Sequence, residues 1–156
     1  MLTATKESKG TATIIYLDGS IEETPPLDQV FGPIQTKEIQ VSCKKVNRLN
    51  SAGVRSWIKF FEGLRNKGTQ FRFFECSPAV VEQINLIKNF RVGAPVDSIY
   101  LPFACLGCKA PFVYLSKTED LVKNNVQLPT MTCPTCKSAL EFDDLPEEYF
   151  VFLTML

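Results

Sequence analysis

Apolar and polar positions along this chain alternate between the short period of strands and the longer period of helices. Residues 11–17 are mostly β-branched or aromatic, which predicts a buried strand, and Asp18-Gly19-Ser20 supplies its stop. Pro25-Pro26 then permits a short helical turn over Leu27–Phe31. Residues 38–43 alternate polar with apolar, the period of a strand with one covered face. Over Ser51–Asn66 the apolar positions Val54, Trp57, Ile58, Phe61 and Leu64 fall at helical spacing, and Gly68 follows as a stop. Residues 70–75 predict another strand. Ser77-Pro78 offers an N-cap and a proline at the first helical position, opening a helix through Val80, Val81, Ile84 and Ile87. Residues 96–101 predict a last strand. Strands alternate with helices and nothing repeats, so the expected core is an α/β layer in which helices cover a sheet.

Beyond residue 101 the composition changes. Cys105-x-x-Cys108 and Cys133-x-x-Cys136 are two hooks separated by 24 residues, a little beyond the usual ribbon spacing. Each hook turns two thiolates toward one metal, and two hooks complete the tetrahedral four-sulfur shell that zinc prefers in closed structural sites. Lys109 and Lys137 stand after the hooks, where such knuckles often have glycine. An iron–sulfur centre shares this ligation and is the alternative occupant. Cys43 and Cys76 lie outside the hooks, at the ends of predicted strands, and are expected to be small core residues. After the second hook, an acidic stretch leads into a helix with Pro146, Glu147 and Glu148 in its first turn, capped at or near Asp144. Tyr149, Phe150, Phe152, Leu153 and Leu156 are too apolar to remain in water, so this tail is expected to fold back on the sheet.

Composition narrows the function. The chain has no histidine, which removes histidine-based nucleophilic catalysis, His-ligated catalytic metals and an imidazole base. A closed four-cysteine site also leaves no open metal position, so the chain is read as a non-enzyme. Residues 1–100 carry thirteen Lys and Arg against ten Asp and Glu, whereas residues 101–156 carry four against seven. An acidic ribbon, made more so by four thiolates on zinc, argues against nucleic acid as partner. With neither an export signal nor an apolar run long enough to span a bilayer, the expected location is the cytoplasm, without membrane attachment.

Three segments together resemble the STAS family of sulfate transporters and anti-sigma factor antagonists. They are Tyr16-Leu17-Asp18-Gly19-Ser20-Ile21, similar to the strand ending in a Gly-x-Ile/Leu turn; Asn50-Ser51-Ala52-Gly53-Val54, similar to the signature Asp-Ser-Ser/Ala-Gly-Ile/Val; and Phe73-Phe74-Glu75-Cys76-Ser77-Pro78, similar to a strand leading into a Ser-Pro helix start. The resemblance spans residues 1–101. It implies a mixed sheet with helices on one face; over 102–156 the paired hooks and the tail give a small zinc-ribbon lobe and C-terminal helix. It also implies a bacterial signalling protein that acts by protein–protein contact, with a kinase-like anti-sigma factor or another regulator as partner, and with homo-oligomers within the family's range.

Ser51 matches the serine that is phosphorylated in the family, and Asn50 stands where the family has aspartate. The corresponding partner face comprises Asn50, Ser51, Val54, Arg55 and Trp57. Asn50-Ser51 also reads simply as a helix cap. The alternative functions are a constitutive structural adaptor and a ribbon protein associated with nucleic acid.

Overall fold

The computed structural model describes residues Met1–Leu156. Its first sheet has four strands in the order β1 (Thr3–Lys9), β2 (Ala12–Ile21), β3 (Glu38–Leu49) and β4 (Gln70–Phe74). β1 runs antiparallel to β2, and β2, β3 and β4 are parallel. β1 is absent from the sequence expectation because its residues, TATKESK, are polar and almost all exposed. It is an edge strand held by backbone pairing, and hydrophobic periodicity cannot register such a strand.

β2 is longer than expected. Asp18-Gly19-Ser20 does not end it; the chain absorbs these residues as register shifts against β3 and continues to Ile21. β3 likewise runs to Leu49, well past the expected end at residue 43, and thereby delivers the chain directly to the start of the next helix.

Helices α1 (Leu27–Phe31), α2 (Ser51–Asn66) and α3 (Pro78–Leu86) follow the expected pattern. They press Phe31, Val54, Trp57, Phe61, Val80 and Val81 against Ile15, Leu17, Ile39, Val41, Phe71 and Phe73 of the sheet. On these strands the alternate residues Tyr16, Gln40, Arg72 and Phe74 point to the opposite face and stay half-buried.

α2 packs closely over the end of β2 because position 53 has no side chain. A Cβ there would collide with the carbonyl oxygen of Ile21 and lie 2.6 Å from its carbonyl carbon and 2.9 Å from the Glu22 nitrogen. Gly53→Ala is therefore expected to cost about 3 kcal/mol. The same change at Gly63 of the same helix meets nothing within 4 Å and is expected to stabilise by about 0.5–1 kcal/mol. Urea unfolding of the two variants should shift the midpoint in opposite directions.

The last strand of the series, β5 (Ser98–Cys105), lies two residues later than expected at its start and runs through the expected boundary at 101/102 into the first cysteine hook. Isolated parallel bridges around its start, Phe73 with Val96 and Cys76 with Ile99, connect it to the region at the end of β4. It also forms a second, antiparallel sheet with β6 (Pro111–Lys117) and β7 (Leu140–Phe142). β6 leads into α4 (Thr118–Lys123), whose Leu121 is buried.

The C-terminal tail is a single-turn α5 (Pro146–Tyr149) followed by a 3-10 turn over Val151–Met155, shorter than a regular helix. Asp144 does not cap α5: the cap position is Leu145, and Asp144 Oδ1 instead accepts the Leu145 N–H at 2.7 Å. As expected, the tail folds back, with Tyr149, Phe150 and Phe152 joining the same apolar cluster as the sheet and α3; Leu156, in contrast, stays exposed. Asn85 of α3 clamps the tail, donating to the Tyr149 carbonyl at 2.8 Å and accepting the Phe152 N–H at 3.0 Å. The Tyr149 hydroxyl donates to the carbonyl of Tyr100. No helix is long and apolar enough to cross a membrane.

Candidate metal centre and switch surface

The two hooks share one backbone frame. The Lys109 N–H donates to the Cys105 carbonyl at 3.1 Å, and the Cys105 N–H to Ala110 at 2.9 Å. In the second hook, Lys137 donates to Cys133 at 3.0 Å and Cys133 to Ser138 at 2.8 Å. Lys109 and Lys137 both adopt φ of 65°, the left-handed conformation for which glycine is favoured. Lysine holds it at a cost of about 1 kcal/mol each, offset by the closed hook.

β5 carries Cys105, and pairing of Cys105 with Leu140 of β7 brings the second hook alongside the first. Leu106 N–H donating to Ala139 and Leu140 N–H donating to Met131 close the frame. Gly107 permits this approach: a Cβ on it would strike Ser138 Oγ and lie 3.1 Å from Cys136 Sγ.

All four sulfurs of Cys105, Cys108, Cys133 and Cys136 lie within 4.8 Å of one another. Cys105 and Cys136 are 3.3 Å apart, and Cys108 and Cys133 are 3.8 Å apart. Zinc–sulfur bonds of about 2.3 Å at tetrahedral angles require sulfurs about 3.8 Å from each other, so the donor set fits a metal ion. Gly107 and Cys108 N–H groups donate to Cys105 Sγ, each at 3.3 Å, the pattern that stabilises a thiolate.

The second hook is the more acidic. Hydrogen bonds from the Ser138 side chain and backbone bring Cys136 down to about 6, and the backbone amide of Cys136 lowers Cys133. In Cys108 the Ala110 backbone lowers the thiol, but hydrogen bonds with the other three cysteines and desolvation push it up to about 11. Ser138 is a contributor that sequence reading missed; its only signal is its place two residues after the last cysteine. Cys43 and Cys76 are fully buried free thiols, and Cys76 is raised by its hydrogen bond to Cys43 and by burial, as suits inert core residues.

At the start of α2 the cap is Asn50, whose Oδ1 accepts the Gly53 N–H at 2.7 Å. Ser51 is the first helical residue, exposed at the helix N-terminus, and Arg55 is exposed one turn on. The expected partner face is corrected at two positions. Val54 is 8% exposed and Trp57 0%, because the apolar stripe that makes α2 amphipathic points into the core. Asn50, Ser51 and Arg55 are what this end of the helix presents to solvent, with Arg48 two residues before the cap at the end of β3.

Architecture defines the class: an α/β protein built on a mixed sheet, with a four-cysteine cluster carried by a strand of that core. No protein-family model matches the chain, and no curated protein matches it in sequence. Among solved structures it is similar to the crystal structure of an anti-sigma factor antagonist from Mycobacterium paratuberculosis. That match covers 62% of this chain and 85% of the other, with a TM-score of 0.51 and 22% sequence identity. The likeness is one of fold.

Proposed function

We propose that the protein is a non-catalytic regulator of the bacterial cytoplasm that works by binding another protein. The observation that carries this reading is the anti-sigma-factor-antagonist fold combined with an exposed Ser51 at the N-terminus of α2. In this reading residues 1–101 are the regulatory unit, and residues 102–156 are an extension clamped by one structural zinc on Cys105, Cys108, Cys133 and Cys136. The zinc supplies cross-linking and no chemistry, since four thiolates leave it no open position.

The partner face is Asn50, Ser51 and Arg55, and the partner is a kinase-like anti-sigma factor or another regulator. A phosphate on Ser51 would meet the free N–H groups and dipole of α2, so the helix tolerates it. Toward a docked partner it adds about two negative charges. Capping and switching separate experimentally because they reside on different residues. Asn50→Ala is expected to cost about 1 kcal/mol of stability, and Ser51→Ala close to nothing, by urea unfolding.

The functional test uses a partner captured from the native host. Phosphoserine at position 51 is expected to weaken binding at least about tenfold while Ser51→Ala binds like wild type. Equal binding by all three forms would refute the switch and leave a constitutive adaptor.

A further inference from the structure

Where the uncovered face of the sheet meets the corner between β6 and α4 there is an open groove of about 1200 Å³. Phe74 lines one side, and Tyr114, Leu115 and Val122 line the other. The last three are 43%, 44% and 52% exposed, an apolar patch held in one concavity rather than scattered singly over the surface. No residue from 50 to 55 belongs to it, so this surface is separate from the start of α2 and goes beyond the function proposed above.

The charges in the groove are unbalanced. Arg72 engages Asp97 through two bonds of 2.7 and 2.8 Å, and Lys123 engages Glu119 at 2.7 Å. Glu75 and Asp120 make no direct ion pair, against one such base in the groove, Lys117, although Lys123 lies close enough to Asp120 to feel its charge and Glu75 also borders a concavity holding Lys44 and Lys45.

Glu75 is also held in place. Its backbone adopts φ of 51°, a left-handed conformation costly for a residue with a side chain. Two buried serines hold it there: Ser98 Oγ accepts the Glu75 N–H at 2.7 Å, and Ser42 Oγ donates to Glu75 Oε1 at 3.0 Å. Its Oε2 takes no hydrogen bond from Ser42. A second feature of the wall is Thr118, whose buried hydroxyl has no hydrogen-bond partner in the chain. Buried polar groups are normally paired, and backbone strain concentrates where a ligand is gripped.

We infer that this groove docks a segment of a partner protein that carries lysine or arginine flanked by apolar residues. The cation meets Glu75 and Asp120, and the apolar side chains cover Phe74, Tyr114, Leu115 and Val122. Burial of the aromatic and aliphatic wall supplies affinity, and the fixed carboxylate supplies sign selectivity.

The test uses the metal-replete full chain and two short fluorescent peptides, one alternating leucine with lysine and the other alternating leucine with glutamate. The basic peptide is expected to bind at least about tenfold more tightly, and to lose about tenfold in Glu75→Gln combined with Asp120→Asn. Amide shifts on binding should centre on residues 74–75 and 114–123. Should Glu75→Gln disturb the strained backbone, Asp120→Asn and Leu115→Ser, both at exposed positions, carry the test, each expected to weaken the basic peptide. Equal affinity for the two peptides, no binding of either, undiminished binding to both exposed variants, or shifts centred elsewhere would overturn the inference. So would sedimentation showing a second copy of the chain seated in the groove that the basic peptide fails to displace.

Discussion

A strong chelator is expected to loosen the second hook and β7 while the parallel sheet stays folded. Structural zinc of the kind proposed contributes on the order of 10 kcal/mol of apparent folding free energy, a large share of what can secure so short a strand. β7 is three residues long, and its backbone is tied to Met131 and to Phe103, Ala104 and Cys105 of β5. In hydrogen exchange the amides of Cys133, Lys137 and Leu140 should lose protection on chelation, and likewise in Cys133→Ser combined with Cys136→Ser. Amides along β2, β3 and β4 should not change.

The effect should reach the tail in a graded way. Phe142 of β7 packs on Phe103 at 5.6 Å and on Tyr149 and Phe150, each at 5.5 Å, so freeing β7 removes one wall of the tail's site. The Asn85 clamp to Phe152 remains, so that amide should lose less protection than Leu140. Acid acts in the same direction. Metal binding needs deprotonated thiols, so protons compete with the ion for the four sulfurs as pH falls. Unchanged exchange at Cys133 and Leu140 after metal removal would show that the hooks stand without an ion.

Replacing Trp57 with alanine is expected to cost about 4 kcal/mol. The indole is fully buried, stacked on Phe90 at 5.3 Å and packed on Phe61 and Phe73 at 4.7 and 5.5 Å. Its N–H donates to the Phe90 carbonyl at 3.1 Å, and truncation leaves that buried acceptor unpaired as well as opening a cavity. Arg55→Ala, two residues earlier and exposed, should stay within about 0.5 kcal/mol of wild type. Urea unfolding separates the two. A Trp57→Ala loss below about 1 kcal/mol would return Trp57 to the surface role suggested by its place beside Ser51.

That contrast marks how far sequence pattern reaches. The stripe Val54, Trp57, Phe61 and Leu64 announces an amphipathic helix, and Asn50 and Gly68 bracket it, because helix period and capping are local chemistry. Which apolar residues near the helix start turn inward and which side chains remain available to a partner depends on where the sheet lies. The cysteine hooks were legible for the same local reason: each is a short-range turn whose two cysteines are named by spacing alone.

Other features had no local signal. β1 is a polar, exposed strand whose pairing, rather than its hydrophobicity, makes it one. Asp18-Gly19-Ser20 has the composition of a turn, and only the neighbouring β3 turns it into bulges within a continuing strand. Glu75 sits in left-handed backbone because Ser42 and Ser98, distant in sequence, converge on it.

By itself, then, the sequence determined the alternation of strands and helices, the caps of α2 and α3, and the two cysteine hooks, all governed by interactions within a few residues. Tertiary structure alone decided that β5 joins the sheet to the cysteine site, that Asn85 and Tyr100 receive the tail, and that a groove with a fixed carboxylate opens beside β6. Each of these depends on contacts between segments far apart in the chain, whose closure no local pattern encodes.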